Sequence, residues 1–364
     1  MYWLAHQQMD RLTATLEDAG YRIVGPQVRE GAIVYDLLAD PADLPWGVEV
    51  EQGPGRVRLR ESGVAACFQW ANGPQGLKPL VFAPEEPLWR VERDGDGGLR
   101  FRATLPDCPP RAVIGVRPCD VAALRLQDRH FLGGGAAPEP HYASRRERLL
   151  LVVVECGHPA STCFCASTGD GPGLREGYDL RLTELEGGCV VAAGSAAGRR
   201  LVRTMGLPEV TAAQASARRA LLARARAAQS RRLPEGLVEG ALFRRLDHPH
   251  WQGLGDRCLA CGNCTAVCPT CFCHRPQERP SLEGESERVR LWDSCFTPEH
   301  SYIAGRVLRE AVHLRYRQWL THKLDGWYRQ YGRSGCVGCG RCIAWCPVGI
   351  DLTAETMAIL GEAS

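Results

Sequence analysis

The chain is nearly devoid of lysine. Lys78 and Lys323 are the only two among 364 residues, so almost all of its positive charge is arginine. By itself that skew says more about codon composition than about function. The formal charge of +2 argues against a dedicated nucleic-acid binder, which carries a basic excess. Long apolar runs are missing too, and none approaches the ~18 residues of a membrane-spanning helix, so no span is expected. The opening Met1-Tyr-Trp-Leu-Ala-His-Gln-Gln has neither a basic segment nor an apolar core. No secretion signal is therefore expected there, and a cytoplasmic location is. H-E-x-x-H, G-x-S-x-G and Walker A phrases do not occur. Gly169-Asp-Gly171-Pro-Gly173 is rich in glycine but follows a cysteine loop rather than a strand, which argues against a dinucleotide fingerprint.

Cysteine, in contrast, is abundant, with 18 residues. Cys258-Leu-Ala-Cys261-Gly-Asn-Cys264-Thr-Ala-Val-Cys268-Pro269 recurs in form as Cys336-Val-Gly-Cys339-Gly-Arg-Cys342-Ile-Ala-Trp-Cys346-Pro347. Two copies of C-x2-C-x2-C-x3-C-P are the signature of two [4Fe–4S] clusters, in which the fourth cysteine of each run ligates the other cluster. The expected sets are Cys258, Cys261, Cys264 with Cys346, and Cys336, Cys339, Cys342 with Cys268. Gly262, Gly338 and Gly340 let backbone approach the sulfides. Structural zinc fits badly, because its paired cysteines are usually separated by a dozen or more residues. Disulfides fit worse in a chain without a secretion signal.

Length allows two or three domains. Residues 1–20 read as an amphipathic helix with Leu4, Met9, Leu12 and Leu16 on one face. Short strands follow at Tyr21–Val24, Ala32–Leu38, Arg56–Arg60 and Leu80–Phe82, broken at Gly53-Pro54-Gly55 and Gly73-Pro74. Ala112–Val116 and Leu149–Val154 are apolar on both faces, as in covered parallel sheets. They run into Arg117-Pro118-Cys119-Asp120 and Glu155-Cys156, and a helix is expected over Val121–His130. Sites in open α/β sheets collect at the carboxyl ends of strands. Cys119 and Cys156, with Cys163 and Cys165 on the next loop, are therefore expected to hold a third [4Fe–4S] cluster. The Arg-rich stretch Ala212–Arg232 reads as a solvated helix face. Ile303, Val307, Ala311 and Leu314 suggest a helix through Ser301–Leu324, and Asp351 or Thr353 can cap a last helix. Cys271, Cys273 and Cys295 are expected beside the clusters or in the core. Cys67, Cys108 and Cys189 read as structural, and His274, His300, His313 and His322 as surface or hydrogen-bonded residues.

The expected architecture is a mixed α/β (α+β) domain over 1–195, a helical connector over 196–250, and an α-helical ferredoxin-like dicluster domain over 251–364. With clusters and no visible organic-cofactor site, electrons are what the chain can move.

Several longer phrases are more specific: Arg117-Pro-Cys-Asp120, Thr162-Cys-Phe-Cys165, Cys268-Pro-Thr-Cys-Phe-Cys273, Trp292-Asp-Ser-Cys-Phe296, Arg315-Tyr-Arg-Gln-Trp-Leu-Thr-His-Lys323 and Gly335-Cys-Val-Gly-Cys-Gly-Arg-Cys342. With Tyr21–Pro26 and Asp43–Gly47 they resemble the beta subunit of cytoplasmic nickel–iron hydrogenase/sulfur reductase complexes (sulfhydrogenases). The A subunit of anaerobic sulfite reductase is a related chain. The resemblance implies an electron-transfer subunit between a flavin-containing NAD(P)H-oxidising subunit and the hydrogenase small and large subunits, itself without catalytic residues. The alternatives are service in a sulfite or sulfur reductase, next to its catalytic subunit, or a self-sufficient cluster-based disulfide or sulfur reductase. Where the family tends to read Ser-Met-Gly-Thr-Gly-Pro, this chain has Ser167-Thr-Gly-Asp-Gly-Pro172. Asp170 would thus bring a negative charge near the third cluster and lower its potential.

Overall fold

The computed structural model of the chain describes residues 1–133, 137–281 and 285–361; the last three residues of the expected dicluster domain lie outside it. Two strands with no polar face organise the N-terminal half. In Arg111–Val116 and Leu149–Val154 every residue after the first is buried. Such strands need cover on both sides, and they lie side by side and parallel in the middle of a seven-stranded sheet. Across the sheet the order is Tyr2–Ala5, Gly188–Ala193, Leu180–Leu185, Leu149–Val154, Arg111–Val116, Arg22–Arg29 and Ala32–Leu37. Pairing is parallel from Leu180–Leu185 to Arg22–Arg29 and antiparallel at both margins.

Because side chains alternate along a strand, the central pair feeds two cores. Ile114, Val152 and Val154 meet Leu12, Leu16, Leu201 and Met205 from the helices Met9–Asp18 and Ala196–Met205. Val113, Leu151 and Val153 meet Val121, Leu124 and Phe131 from the helix Pro118–Phe131.

The structure corrects several expectations here. The first twenty residues are not one helix: Tyr2–Ala5 pairs with Gly188–Ala193 at the sheet margin, and the helix begins only at Met9. Leu4 is nevertheless buried with Met9, Leu12 and Leu16, so the apolar spacing was right for burial and wrong for conformation. The segment expected as strand Leu80–Phe82 is the end of a short helix, Lys78–Val81. The helix Ala212–Ala227 is mostly solvated, yet Arg218 reaches inward to the buried Glu155 with two contacts of 2.7 Å. Beyond it, Arg231 pairs with Asp351 at 2.6 Å.

The segment between the two cysteine runs is not all helical. Its hairpin, His274–Pro280 with Ser286–Trp292, joins the hairpin Glu85–Arg93 with Leu99–Ala103 in a four-stranded sheet. Sequence-distant parts of the chain are thereby hydrogen-bonded to each other. The expected helix through Ser301–Leu324 starts late. Ile303 and Val307 belong to a two-residue ladder, Ala311 is the N-cap, and regular helix covers Val312–Thr321 before a wider turn over His322–Gly326. Tyr316, Trp319, Leu320 and Leu324 pack there with Trp251, Leu254 and Phe296. Asp351 caps the last helix, Leu352–Leu360, through Thr353 N–H.

One buried ion pair closes the two halves on each other. Arg341, inside the second cysteine run, donates to both carboxylate oxygens of Asp120 at 2.7 and 3.0 Å, and each side chain is 1% exposed. The guanidinium also reaches Gly73 O at 2.9 Å and Asn72 Oδ1 at 3.1 Å. Removing one partner of such a pair strands the other charge away from water, at a cost of about 3–5 kcal/mol. Asp120→Asn is accordingly expected to lower the thermal midpoint of the anaerobically purified protein clearly. Arg90→Ala, at the exposed pair with Glu287, should change stability by less than about 1 kcal/mol. Thermal melts of both variants beside the native protein check this.

Candidate metal centres

Cys119 and Cys156 stand where the two central parallel strands end. Cys119 opens the helix Pro118–Phe131, and Cys156 N–H is fixed by Pro172 O at 3.0 Å. The loop carrying Cys163 and Cys165 folds over the same edge. All four cysteines line one small enclosed cavity, together with Arg117, Asn72 and Cys339 of the second cysteine run. Asn72 contacts Cys119 Sγ at 3.5 Å and donates to Cys339 O at 3.1 Å, so one amide spans both cysteine groups. Arg117 is held by Phe68 O and Trp70 O at 3.0 and 2.6 Å and stacks 4.1 Å from the Trp70 ring.

Glycine explains how the two cysteine segments come so close. Phe164 N–H donates to Gly338 O at 2.8 Å. A Cβ on Gly338 would fall 2.5 Å from Cys165 N, and one on Gly340 would fall 2.3 Å from Thr162 O. Both have positive φ, which glycine adopts without strain. In the cysteine loop itself, a Cβ on Gly171 would meet Cys165 Sγ at 2.7 Å.

Cys258, Cys261, Cys264 and Cys346 line a second cavity, walled by Phe296, Tyr316 and Trp319 and touched by Cys342. This grouping brings the fourth cysteine of one run to the first three of the other. Cys268 lies within electrostatic reach of Cys336, Cys339 and Cys342. Beside it the buried Lys323 donates to Cys268 Sγ at 3.3 Å and to Thr270 Oγ1 at 3.0 Å.

The thiols in these cavities need a cation to ionise together. Burial pushes Cys119, Cys163, Cys264 and Cys342 well above the ordinary thiol range, reinforced by the Asp120 carboxylate at Cys119 and by neighbouring thiols at the other three. Burial also drives Cys336, and with it Cys165, up to about 12. Four such groups become thiolates together when a cationic centre offsets their mutual repulsion. Cys268 is shifted the other way. A hydrogen bond from Cys271, and after it the Lys323 ammonium, hold it well below the ordinary range.

The remaining cysteines divide. Cys271 touches Cys268 in this way, whereas Cys273 and Cys295 form a separate pair with their sulfurs 3.9 Å apart. Cys67 and Cys189 are buried around Glu184, and Cys108 is half-buried. Asp170 is not a free negative charge. Arg333 donates to both of its oxygens at 2.8 and 2.5 Å, which offsets the effect on potential expected from sequence. No composition signal marked Asn72 or Arg333, whose contacts join residues remote along the chain.

Residues 257–350 match the family model of the 4Fe-4S dicluster domain. The chain is 29% identical over 286 residues to sulfhydrogenase 2 subunit beta of Pyrococcus furiosus, covering 75% of this chain and 79% of that protein. No solved structure matches it. Among the described residues no helix is long and apolar enough to cross a membrane. The resemblance read from the cysteine and arginine phrases therefore holds: over three quarters of its length the chain is similar to a sulfhydrogenase beta subunit, and it carries a 4Fe-4S dicluster domain.

Proposed function

We propose that the chain is the iron–sulfur electron-transfer subunit of a sulfhydrogenase-type complex, with three [4Fe–4S] sites in a line. Cys119, Cys156, Cys163 and Cys165 would hold the first. Cys336, Cys339, Cys342 and Cys268 would hold the middle one, and Cys258, Cys261, Cys264 and Cys346 the last. When bound, such a cluster takes up or gives one electron without moving a substrate group. The observation that carries the reading is the position of the second cysteine run: Cys339 lines the cavity in the α/β half, and Cys342 lines the cavity of the first run. That run therefore adjoins both other sites.

The chain's own residues set the conditions at each station. Phe296, Tyr316 and Trp319 keep water from the inner side of the last site, while Cys261 is exposed and Leu259 is 63% exposed on its outer side. That edge faces a partner subunit. Lys323 places a positive charge against Cys268. Partners are a flavin-bearing NAD(P)H-oxidising subunit on one side and hydrogenase small and large subunits on the other, with the protein working in the cytoplasm. The name of the P. furiosus relative favours a hydrogenase assembly over a sulfite reductase.

Metal and sulfide analysis of the anaerobically purified chain should give about twelve irons, four for each cluster. Cys163→Ala is expected to remove about four of them while the paramagnetic signals of the dicluster domain persist. Full iron content in that variant would return these cysteines to the core. In turnover assays the isolated chain should neither evolve hydrogen nor oxidise NAD(P)H, and should not sustain reduction of polysulfide or a disulfide. Continued turnover would instead identify a self-sufficient reductase. Lys323→Met deletes a cation that favours the reduced state, so one cluster alone should shift to a more negative midpoint potential in a redox titration followed by paramagnetic resonance.

A further inference from the structure

Cys273, Cys295 and His300 belong to none of the three sites, yet their ligand atoms lie within 4.8 Å of one another. We propose that they hold a single zinc ion, distinct from the iron–sulfur centres. The spacing separates this group from the others. Two thiolates each about 2.3 Å from one tetrahedral zinc stand about 3.8 Å apart, and the sulfurs of Cys273 and Cys295 are 3.9 Å apart. That is far beyond the ~2.05 Å of a disulfide. It is also tighter than the cluster sets: among the described residues, no three of the eight motif cysteines gather their sulfurs within 4.8 Å. Thiolates on separate corners of a cube stand apart, whereas thiolates on one ion do not.

Histidine completes the donor set. Two thiolates and an imidazole are ordinary zinc ligands, leaving one tetrahedral position for water. His300 Nδ1 is buried, and the ring lies against the Cys273 thiol as its hydrogen-bond partner.

The ion would sit at the base of the hairpin that joins the two halves. Cys273 precedes the strand His274–Pro280, Cys295 follows Ser286–Trp292, and Asp293 N–H donates to Cys273 O at 2.9 Å across that base. His300 comes from the short turn Pro298–Ser301. Adjacent to Cys295, Ser294 Oγ lies 2.8 Å from Thr265 Oγ1 in the first cysteine run. A zinc here fixes the hairpin base, the turn and the wall of that run together. It carries no electron, since zinc has no redox chemistry of its own.

The test measures zinc and iron together on the full chain purified anaerobically, as native protein and as Cys295→Ser and His300→Ala. Zinc-edge X-ray absorption on the native protein accompanies it. The expected result is about one zinc per chain with two sulfur and two lighter neighbours. It is absent from both variants, whose iron and sulfide stay at the native level. Native protein without zinc, zinc surrounded by four sulfurs, or zinc retained in both variants would overturn the assignment. Loss of iron instead of zinc from Cys295→Ser would overturn it as well, by placing these ligands on a cluster. Because the native spectrum decides independently, a variant that fails to fold does not shield the proposal. Iron content reports separately on the electron-transfer reading.

Discussion

The salt bridge between Arg341 and Asp120 is the constraint on which the arrangement of cysteines depends. Arg341 sits between Cys339 and Cys342, and Asp120 directly follows Cys119, so a single ion pair ties one cysteine of the α/β half to the second cysteine run. Burying a charge is costly unless it is paired and fully hydrogen-bonded. Here Gly73 O and Asn72 Oδ1 take up further guanidinium donors. The energetic demand of that guanidinium helps fix the register where the second cysteine run approaches the α/β half at glycine backbone. It accounts for the Arg117-Pro-Cys-Asp120 phrase as a structural unit. Arg117 braces the strand end against Trp70, Cys119 faces the cavity, and Asp120 clasps the partner segment.

The lysine shortage takes on meaning in the same setting. Both lysines are buried, at 5% and 4% exposure, and both lie near the end of the first cysteine run. Lys323 contacts Cys268, while Lys78 donates to Thr265 O at 3.1 Å and lies 3.8 Å from the Trp292 ring. Burial pushes Lys78 down to about 8, against the opposing pull of Cys271 and Cys268. Lysine offers a compact point charge on a flexible stem, whereas arginine brings a planar fork that demands several acceptors. Each residue type occurs where its geometry fits: lysine beside thiols, arginine against the paired oxygens of Asp120, Asp170 and Glu155.

The sequence alone determined the chemistry. Spacing within Cys258–Cys268 and Cys336–Cys346 is local and periodic, so it could be read without knowing the fold. The same holds for the two central strands, because a strand with no polar face has few other places to go. Local patterning failed where tertiary pairing overrode it. Leu4 follows the helical spacing of Met9 and Leu12, but an open sheet margin captured its backbone. Ile303 and Val307 fit a helix by period, but a tight turn at Ala304-Gly305 folded them into a ladder.

Only the tertiary structure decided what lies next to what. The approach of Cys339 to the cavity of Cys119, Cys156, Cys163 and Cys165, the pairing of Asp170 with Arg333, and the meeting of Cys273, Cys295 and His300 all depend on through-space approach between remote segments. Residue type and spacing carry no distance information across such gaps. Those distances are set by buried charge that must find a partner and by apolar strands that must be covered, and both are properties of the packed molecule.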